Sequence, residues 1–340
     1  MTAVLREIAK GTLDAISAGR VTVKGSLYDL SGLLAESRLQ TAYYAPDSLL
    51  AAWRSFSPAQ PHPAVGNTVL EFLETTTLDA ARGAGLKGYK RPIGVLNFAS
   101  AEQPGGGFIN GAQAQEESLA RSSTLYASLM TPTAQQFYAL HAADARDGFY
   151  THAMVYSPHV VVFRADDGTL VPPMEIDVLT SPAVHAGRVR RRAAGAAVER
   201  DIRRVMRERM ARVLFLFERR QVRHLVLGSF GTGVFQNDVD MVAQIWAELL
   251  CGPGARFARS FQYVAFAVMD NPTYLQFKHA CIPYLCLDML LGRRVRARAT
   301  IRVVIDCVSL FEDEDESFAS DIHSAQRLYP LLVASKSVHT

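Results

Sequence analysis

The 340-residue chain is predicted to be an α/β protein whose sheet is covered by helices on both faces. Short apolar runs typical of buried strands recur along the chain, and longer segments with helical spacing of apolar residues separate several of them. Strands that alternate with helices in this way favour a sheet with helices on both faces. Hydrophobic residues make up 49% of the chain and charged residues 20%, a composition that supports a sizeable core and excludes a disordered chain.

The first part of the chain is predicted to begin with a helix over residues 3–18, because its apolar residues fall on one face and Gly19 follows them. Three prolines within residues 58–63 predict a connecting loop. The apolar spacing after this loop predicts a second amphipathic helix over 66–83. We therefore expect residues 1–90 to form an N-terminal helical extension that packs on the core.

Residues 91–278 are expected to form the core, because strand and helix patterns alternate most clearly there. The apolar run 92–99 ends in polar residues, as expected of a buried strand. Further strands are predicted at Val21–Val23, Ala153–Val155, Val160–Phe163, Glu175–Leu179, His224–Leu227 and Tyr263–Met269. Long helices are predicted over 115–130, 190–219 and 236–250.

The last sixty residues differ from the core in composition. Arg293–Arg298 is basic, Ile301–Val308 has the pattern of a strand, and Glu312–Glu316 is an unbroken acidic run. We expect residues 279–340 to form a C-terminal addition of unknown role that ends in a flexible tail.

Composition also limits the class of function. The formal charge of +3 does not by itself indicate nucleic-acid or membrane binding. The four cysteines form no CxxC pair and the nine histidines form no metal-binding motif, so packed thiols are expected and no metal or cofactor is predicted. The N-terminus lacks a continuous apolar region and no run of about 18 apolar residues occurs, which predicts a cytoplasmic protein.

The segment most informative about function lies between the predicted strand 92–99 and the predicted helix 115–130. It contains three consecutive glycines, Gly105–Gly107. Glycine allows positive φ angles and lets the backbone approach a ligand without interference from a Cβ atom. Exposed N–H groups in such a loop form a concave site for an anion.

The helix after this loop begins with two adjacent carboxylates, Glu116 and Glu117. Adjacent helical side chains point about 100° apart, so the two groups are expected to have different tasks. One can hold a ligand hydroxyl while the other faces the scissile bond as an acid. The alternative is that both only complement the helix dipole and its free N–H groups. The glycine loop, the preceding strand and a second loop favour the catalytic interpretation.

The second loop follows the predicted strand 224–227. Gly231 and Gly233 are expected to expose backbone N–H groups toward a diphosphate at the N-terminus of the next helix. The loop is not a dinucleotide fingerprint, because Gln236 replaces the third glycine, and Ser229 does not lie in a nucleophile elbow. A simple tight turn is the alternative. Two such loops at the carboxyl ends of strands predict a site for a dinucleotide-like ligand.

The order and spacing of these motifs resemble those of the poly(ADP-ribose) glycohydrolases. The signature is the triple glycine Gly105–Gly107, followed after seven residues by Gln115–Glu117. Further motifs resemble the bacterial-type branch of this family: Asn97–Ser100, Gly111–Ala112, Leu125–Tyr126, Tyr156–Pro158, Asp177–Pro182 and Gly233–Phe235. The resemblance extends over roughly residues 1–278.

This resemblance implies a macrodomain-like mixed sheet that binds ADP-ribose and hydrolyses the ribose–ribose bonds of poly(ADP-ribose) from the chain end. By position, Glu117 protonates the leaving ribose oxygen, Glu116 and its neighbour Gln115 bind the ligand, and Asn97 assists at the distal ribose. Water then attacks an oxocarbenium-like centre. The implied partners are poly(ADP-ribose), ADP-ribosylated proteins and the product ADP-ribose.

The resemblance also implies that the two glycine loops enclose the diphosphate. Gly105–Gly107 lies on one side, and Gly231, Thr232, Gly233, Val234 and Phe235 lie on the other, with Phe235 packed against the distal ribose. The second loop departs from the common family pattern Gly-Ala-Trp-Gly-Cys-Gly, because Phe230 and Thr232 stand at the Trp and Cys positions. The replacements keep the approximate size, so binding is expected to survive.

The positive charge of Arg121 conflicts with the role of Glu117 as an acid. An acid catalyst at neutral pH needs a raised pKa, which burial supplies. Arg121 lies four residues after Glu117 and would oppose that rise if it shared the same helix face. The family interpretation therefore predicts that Arg121 turns away from Glu117 or is screened from it.

Two other functions stay open. Residues 188–220 contain many arginines, which would attract an anionic polymer or nucleic acid. Apolar residues at helical spacing and interspersed glutamates favour instead a helix packed on the sheet with a solvated basic face. A macrodomain that binds ADP-ribose without cutting it is the other alternative, and the presence of both glutamates argues against it.

Overall fold

The computed structural model describes residues 1–57, 68–89, 92–251 and 254–290, with side chains up to residue 285, and the backbone of Arg302–Val304. It confirms the predicted α/β class. The strands are β1 (Arg20–Val23), β2 (Ser26–Asp29), β3 (Ala42–Tyr44), β4 (Val69–Leu73), β5 (Ile93–Phe98), β6 (Met154–Arg164), β7 (Leu170–Ser181), β8 (His224–Gly228), β9 (Tyr263–Ala267) and β10 (Arg302–Val304).

The α-helices are α1 (Thr2–Ala18), α2 (Ser31–Gln40), α3 (Thr77–Leu86), α4 (Gln115–Ser122), α5 (Leu125–Leu129), α6 (Pro132–Ala143), α7 (Ala186–Arg192), α8 (Ala196–Arg219), α9 (Val239–Leu250) and α10 (Asn271–Leu290). None of the described helices is long and apolar enough to cross a membrane.

The central sheet is mixed and has the strand order β10-β4-β9-β8-β5-β7-β6-β3. Strands β4, β9, β8, β5 and β7 run parallel to one another, and β10 pairs in parallel with β4 at one edge. Strands β6 and β3 run antiparallel to theirs at the other edge. Strands β1 and β2 form a separate hairpin. The five neighbouring parallel strands therefore present their carboxyl ends along one side of the sheet.

Two layers of apolar side chains cover the faces of this sheet. Successive residues of a strand point to opposite faces of the sheet and so belong to different layers. Leu96 and Leu225 pack on one face with residues of α8, α9 and α10. Val95 and Val226 pack on the other face with residues of α3, α4, α5 and α6. Such two-sided burial explains why the parallel strands are apolar without interruption. The structure confirms the predicted macrodomain-like sheet with helices on both faces.

The predicted helix over 66–83 is wrong. Its first part is strand β4, in which Leu70 and Phe72 are buried and their neighbours are half-buried. This two-residue alternation is typical of a strand, and parallel pairing with β9 satisfies the backbone. Helix α3 begins only after Thr76, whose hydroxyl accepts a hydrogen bond from the Asp79 N–H at 3.1 Å and caps the helix.

Two other predicted helices are interrupted. The segment 115–130 forms α4 and α5, because Ser123 has extended backbone angles and bridges to β6. The segment 190–219 falls in two helices. Helix α7 ends at Arg192, and α8 begins at Ala196, directly after Gly195, whose φ is 115°. Helix α9 begins three residues later than predicted, where the Asp238 side chain caps it. The two strands predicted at 153–163 form the single strand β6 with an irregularity in its register.

Helix α1 is confirmed and ends at Gly19, which has a φ of 62°. It packs against the segment that follows the triple glycine. Arg6 donates from Nε to the Asn110 carbonyl at 3.1 Å, and the Thr12 hydroxyl donates to the Arg121 carbonyl at 2.5 Å. The N-terminal helix therefore supports the part of the core that carries the two glutamates.

The predicted division at residues 90 and 278 stays a prediction, although the structure constrains it. Strands β3 and β4 of the expected N-terminal extension belong to the central sheet, and helix α10 runs across residue 278. The described residues up to Val304 belong to one compact unit. Strand β10 lies within the predicted strand 301–308, whereas the proline loop 58–63 and the charged runs of the last sixty residues lie outside the described residues.

Candidate active site

A cleft of about 660 Å³ opens at the carboxyl ends of the parallel strands. Phe98, Ser229 and Ala267, at the ends of β5, β8 and β9, lie along its floor, and Glu116 and Glu117 line one wall. Strands β5 and β8 are parallel neighbours, which brings the two predicted glycine loops to the same edge of the sheet. The structure thus places the Glu-Glu pair and the second loop around a common space.

Gln115 fixes the first turn of α4 to the end of β5. Its side-chain oxygen accepts a hydrogen bond from the Phe98 N–H at 2.8 Å, and its Nε2 donates to the Leu96 carbonyl at 2.8 Å. The side-chain amide of Gln115 therefore forms hydrogen bonds with β5 of the kind that a neighbouring strand would form. Its Nε2 also lies 3.2 Å from the Thr77 hydroxyl. Gln115 lines the cleft, and its polar side-chain atoms hold the first turn of α4 in place.

Glu117 is buried and is held by two backbone N–H groups. Its Oε1 accepts from the Gly107 N–H at 2.9 Å, and its Oε2 accepts from the Ala114 N–H at 2.9 Å. The second contact closes the first turn of α4 on itself. Both carboxylate oxygens are therefore oriented before any ligand arrives.

Gly106 has to be glycine because of this arrangement. Its φ is 59°, and a Cβ at this position would stand 2.2 Å from the Glu117 Oε1 and 3.2 Å from the Glu116 Oε2. A side chain would therefore displace the carboxylates as well as strain the backbone.

Glu116 lies deeper than Glu117, and only 2% of its surface is exposed. Its Oε2 accepts from the Ser100 N–H at 2.6 Å, and its Oε1 accepts from the Asn97 side chain at 3.2 Å. Burial raises the pKa of Glu116 to about 8, because the hydrogen bonds from Ser100, Asn97 and Gly105 only partly offset the lost hydration, and the charge of Glu117 adds to the rise.

Asn97 stands behind Glu116 at the end of β5. It is fully buried, and its Nδ2 lies 3.2 Å from both the Glu116 Oε1 and the Thr180 hydroxyl. Its side-chain oxygen has no hydrogen-bond partner among the described residues. The cleft lining includes Glu116 but not Asn97, so the structure places Asn97 as a support of Glu116.

The first glycine loop differs from the prediction that its N–H groups bind a diphosphate. The Gly107 N–H donates to the Glu117 carboxylate at 2.9 Å, and the Gly106 N–H donates to the Gln103 carbonyl at 3.0 Å. These two donors are therefore used within the protein. The loop forms a concavity suited to an anion, as expected, but the group that it holds is the protein's own Glu117 side chain.

The second loop, residues 229–237, has the geometry expected of an anion site. Gly231 has a φ of 76°, and a Cβ there would stand 2.3 Å from the Ala183 side chain. Asn237 closes the loop by donating from Nδ2 to the Gly231 carbonyl at 2.9 Å and to the Val184 carbonyl at 2.7 Å. Gly233 faces open space.

Four backbone N–H groups of this loop have no acceptor among the described residues, those of Gly231, Gly233, Val234 and Phe235. All four residues, and Thr232 between them, line the cleft. Backbone N–H groups in a glycine-rich loop beside a helix are typical of phosphate sites. Val234 is 75% exposed, so the rim of the cleft is open at this point.

Phe235 is half-buried at the end of the same loop. Its ring stacks on the His185 ring with centroids 4.6 Å apart and an angle of 10°, and the Tyr150 ring lies 6.1 Å away. The Phe235 ring therefore lies at the edge of the cleft and packs against the His185 ring. This is the position expected of a residue that contacts a ribose.

Arg121 does not pair with Glu117. Its guanidinium donates to the Ala112 carbonyl, and the ion pairs found among the described residues do not join it to Glu117. Burial lowers the pKa of Arg121, and the charges of Glu117 and Asp166 oppose that change. The structure agrees with the expectation that the arginine turns to another acceptor.

No motif in the sequence indicated that Asp166 belongs to the site. Asp166 lies in the turn between β6 and β7, accepts from the Thr76 hydroxyl at 2.7 Å and from the Ser118 hydroxyl, and lines the cleft. Asp-Asp-Gly at 166–168 is a turn signal, but the contact with α4 depends on the fold. Met1 and Leu5 of α1 also line the cleft and were not expected there.

The arginine-rich segment mostly forms contacts within the protein. Arg190 pairs with Glu199 at 2.7 Å, and Arg203 pairs with Glu248 at 2.5 Å. Arg209 is fully buried and donates to three carbonyls, so the prediction of a solvated basic face is wrong for this residue. Buried apolar positions along α8 confirm that the helix packs on the sheet.

Other reactive groups do not form a second centre in the described parts of the chain. Cys251 and Cys281 are buried and free, and Cys307 and the side chain of Cys286 lie outside the described residues. No group of three or more His, Cys, Asp or Glu side chains is placed to hold a metal ion within the same residues.

Known proteins give a consistent picture. The family model described as microbial-type PARG, catalytic domain, matches residues 9–165. The crystal structure of poly(ADP-ribose) glycohydrolase (PARG) from Thermomonospora curvata is 40% identical, with a TM-score of 0.74, and the match covers 82% of this chain and 99% of that chain. No curated protein matches the chain.

Two solved structures with a bound molecule are also similar. Thermomonospora curvata PARG bound to the inhibitor ADP-HPD has 39% identity and a TM-score of 0.71, with coverage of 82% and 99% of the two chains. Deinococcus radiodurans PARG in complex with ADP-ribose has 37% identity and a TM-score of 0.64, with coverage of 73% and 96%.

Proposed function

Because the chain belongs to the microbial-type poly(ADP-ribose) glycohydrolases, we propose that it hydrolyses the ribose–ribose bonds of poly(ADP-ribose) with Glu117 as the catalytic acid. The observation that carries this assignment is the position of Glu117. It lines the cleft beside the open second loop, and two N–H groups hold both of its oxygens in place.

The ligand is oriented by the second loop. The four N–H groups of Gly231, Gly233, Val234 and Phe235 bind the diphosphate of ADP-ribose, because they lie together in one glycine-rich loop of the cleft and have no acceptor among the described residues. The proposed position of the distal ribose is between Phe235 and the glutamates, which also line the cleft. The Gly105–Gly107 loop acts on the ligand indirectly, by fixing the Glu117 carboxylate.

The reaction then follows the chemistry of glycoside cleavage by carboxylates. Glu117 gives its proton to the ribose oxygen that leaves, while the bond from that oxygen to the anomeric carbon breaks and an oxocarbenium-like centre develops. Water adds to the anomeric carbon, and its proton returns to Glu117. The products are ADP-ribose and a polymer shortened by one unit when cleavage occurs at the chain end.

Glu116 holds hydroxyl groups of the distal ribose. Its pKa of about 8 means that it keeps a proton at neutral pH, so it can donate to a ribose oxygen while Ser100 and Asn97 fix the carboxyl group. Poly(ADP-ribose) on modified proteins is the proposed substrate, and ADP-ribose is the proposed product ligand.

The test compares wild type with Glu117→Gln on purified poly(ADP-ribose), with chromatography of the released ADP-ribose. Glutamine keeps an acceptor oxygen for one of the two backbone N–H groups, while its NH2 group faces the other, and it cannot give a proton as an acid, so we expect release to fall by about a thousandfold. Binding of ADP-ribose, measured by calorimetry, is expected to persist in the variant.

Glu36→Gln is a matched control, because Glu36 is exposed on α2 and accepts a hydrogen bond from Gln40 in its own helix. Normal ADP-ribose release by Glu117→Gln would show that another group is the acid. Binding without any release by wild type would favour a protein that recognises ADP-ribose without cutting it. The size of the early products, monomer or oligomer, tests cleavage at the chain end.

A further inference from the structure

We infer that His185 is a positioning residue for hydrolysis, which acts by holding the Phe235 ring in the orientation that fits the distal ribose. This inference rests on the proposed function of the cleft and adds a residue to it. The residues that line the cleft include Phe235 but not His185, so His185 acts through Phe235 and not on the ligand.

Phe235 needs support from outside its own loop. The N–H groups of the preceding residues face no acceptor among the described residues, Gly233 has nothing within 4 Å of a Cβ position, and Val234 is 75% exposed. These features are suited to anion binding, but they leave the Phe235 ring, at the end of the loop, with few contacts within the loop that restrain it.

The His185 ring supplies that restraint. The two rings are nearly parallel, with an angle of 10° and centroids 4.6 Å apart, whereas Tyr150 is more distant at 6.1 Å and is tilted by 32°. A parallel ring at this distance blocks rotation of Phe235 on one face and leaves the other free. Of these two rings, His185 has the closer and more parallel contact.

His185 is itself fixed by hydrogen bonds. Its N–H donates to the Gly148 carbonyl at 2.7 Å, and its Nδ1 accepts from the Arg188 N–H at 3.2 Å, which caps α7. The Nδ1 atom is therefore an acceptor, and the imidazole face stays available for stacking.

The start of α7 is also attached to the backbone of the second loop. The Gly187 N–H donates to the Phe235 carbonyl at 3.1 Å, and Arg190 donates to the Gln236 carbonyl at 2.5 Å. A Cβ on Gly187 would stand 2.2 Å from the Gln236 side-chain oxygen, so the two segments pack without a gap. Backbone and ring contacts together make α7 a rigid support for the ribose end of the loop.

Two roles of His185 are separable by substitution. His185→Phe keeps an aromatic ring but removes the capping acceptor, and His185→Asn keeps a capping acceptor but removes the ring. His185→Ala removes both. Because a displaced ribose contact alters the alignment of the scissile bond, we expect kcat to fall about tenfold in the Ala and Asn variants, with KM changed less than about threefold. His185→Phe is expected to retain a kcat within about threefold of wild type.

A double-mutant cycle with Phe235→Ala completes the test. If His185 acts through Phe235, adding His185→Ala to Phe235→Ala produces no further loss of kcat. Thermal unfolding of each variant shows whether it folds, and the Phe and Asn variants decide the question if the Ala variant does not. A wild-type enzyme that releases no ADP-ribose would contradict the proposed function itself. An active wild type with unchanged kcat in His185→Asn, or with the Phe variant as impaired as the Asn variant, would overturn the positioning role alone.

Discussion

The adjacent glutamates of the cleft differ in their surroundings, and the difference suits them to different tasks. Glu117 is held by two N–H groups of the segment between β5 and α4 and faces the cleft, whereas Glu116 lies almost completely buried against Asn97 and Ser100. Their separation in direction follows from helix geometry. The sequence predicted this pair and different tasks for its two members, but the donors that distinguish the two side chains come from residues 3 to 19 positions earlier in the chain.

The first prediction concerns the pH dependence of stability. The folded pKa of Glu116, about 8, lies above its ordinary value of 4.5, so between these values the folded state holds a proton that the unfolded chain has lost. The contribution of Glu116 to stability is therefore complete below about pH 4.5 and is lost as the pH rises toward 8. The limiting slope for one such proton is about 1.4 kcal/mol per pH unit.

Glu116→Gln removes this titration. We expect the free energy of unfolding of the variant, measured in urea, to gain on that of wild type as the pH is raised from 5 to 8. Glu36→Gln, at an exposed position, is expected to follow wild type at both pH values. A constant difference between Glu116→Gln and wild type across this range would contradict a raised pKa.

The second prediction concerns Gly106. A Cβ there would lie 2.2 Å from the Glu117 Oε1 at a φ of 59°, so Gly106→Ala must move the catalytic carboxylate or the loop. We expect kcat on poly(ADP-ribose) to fall by about a hundredfold, since small displacements of a catalytic group have effects of this size. Gly83→Ala is the matched control, because Gly83 lies inside α3 with open space around its Cβ position and is expected to leave kcat unchanged. Equal activities of the two variants would refute the close contact.

Elements with a long and clear apolar pattern could be predicted from the sequence, and the failures have identifiable causes. Helix α1 and strands β5 and β8 are where the patterns placed them. The helix predicted over 66–83 was wrong because a five-residue strand and a following helix together mimic one amphipathic segment. The breaks at Ser123 and Gly195 arise from pairing with β6 and from a single glycine conformation, which helical periodicity does not detect.

The turn between β6 and β7 shows how an element outside the motifs contributes to the site. Asp166 accepts hydroxyl donors from Thr76, which caps α3, and from Ser118, which follows Glu117 in α4. The turn therefore joins the two helices that flank the cleft. Its role depends on a contact between segments 48 and 90 residues apart, so the local sequence could not reveal it.

The third prediction follows from this connection. Asp166→Ala leaves both hydroxyls without their carboxylate acceptor, and we expect a loss of about 1.5–3 kcal/mol in unfolding free energy together with a lower kcat. Asp167→Ala is the matched control, because Asp167 is exposed and accepts only from Thr169 within the same turn. Chemical denaturation and steady-state kinetics measure the two effects. If the Asp166 and Asp167 variants lose stability and activity equally, the turn has no special connection with α4.

At the scale of the whole molecule, the cleft is assembled from segments that are far apart in the sequence. Residues of α1, of the turn after β6, and of the ends of β4, β5, β8 and β9 line it. Sequence motifs identified the loops after β5 and β8, and the parallel pairing of these strands brings the loops together. Met1, Asp166 and Met269 carry no such motif, and their place in the cleft follows from strand order and packing alone.

Because the cleft exists only when these distant segments are folded together, the last prediction concerns the stability of the whole protein. A ligand that binds only the folded cleft stabilises the folded state by mass action, by about 2.7 kcal/mol at a concentration one hundred times its Kd. We therefore expect ADP-ribose to raise the Tm of the wild-type protein by several degrees, and adenosine at the same concentration to have little effect, because it lacks the diphosphate that is the proposed ligand of the N–H groups of Gly231, Gly233, Val234 and Phe235. Glu117→Gln is expected to show the full rise, since it retains the diphosphate donors. A Tm shift of the same size with adenosine would show that the free N–H groups of the second loop are not the main contact, and would remove the basis on which the distal ribose is placed beside Glu117.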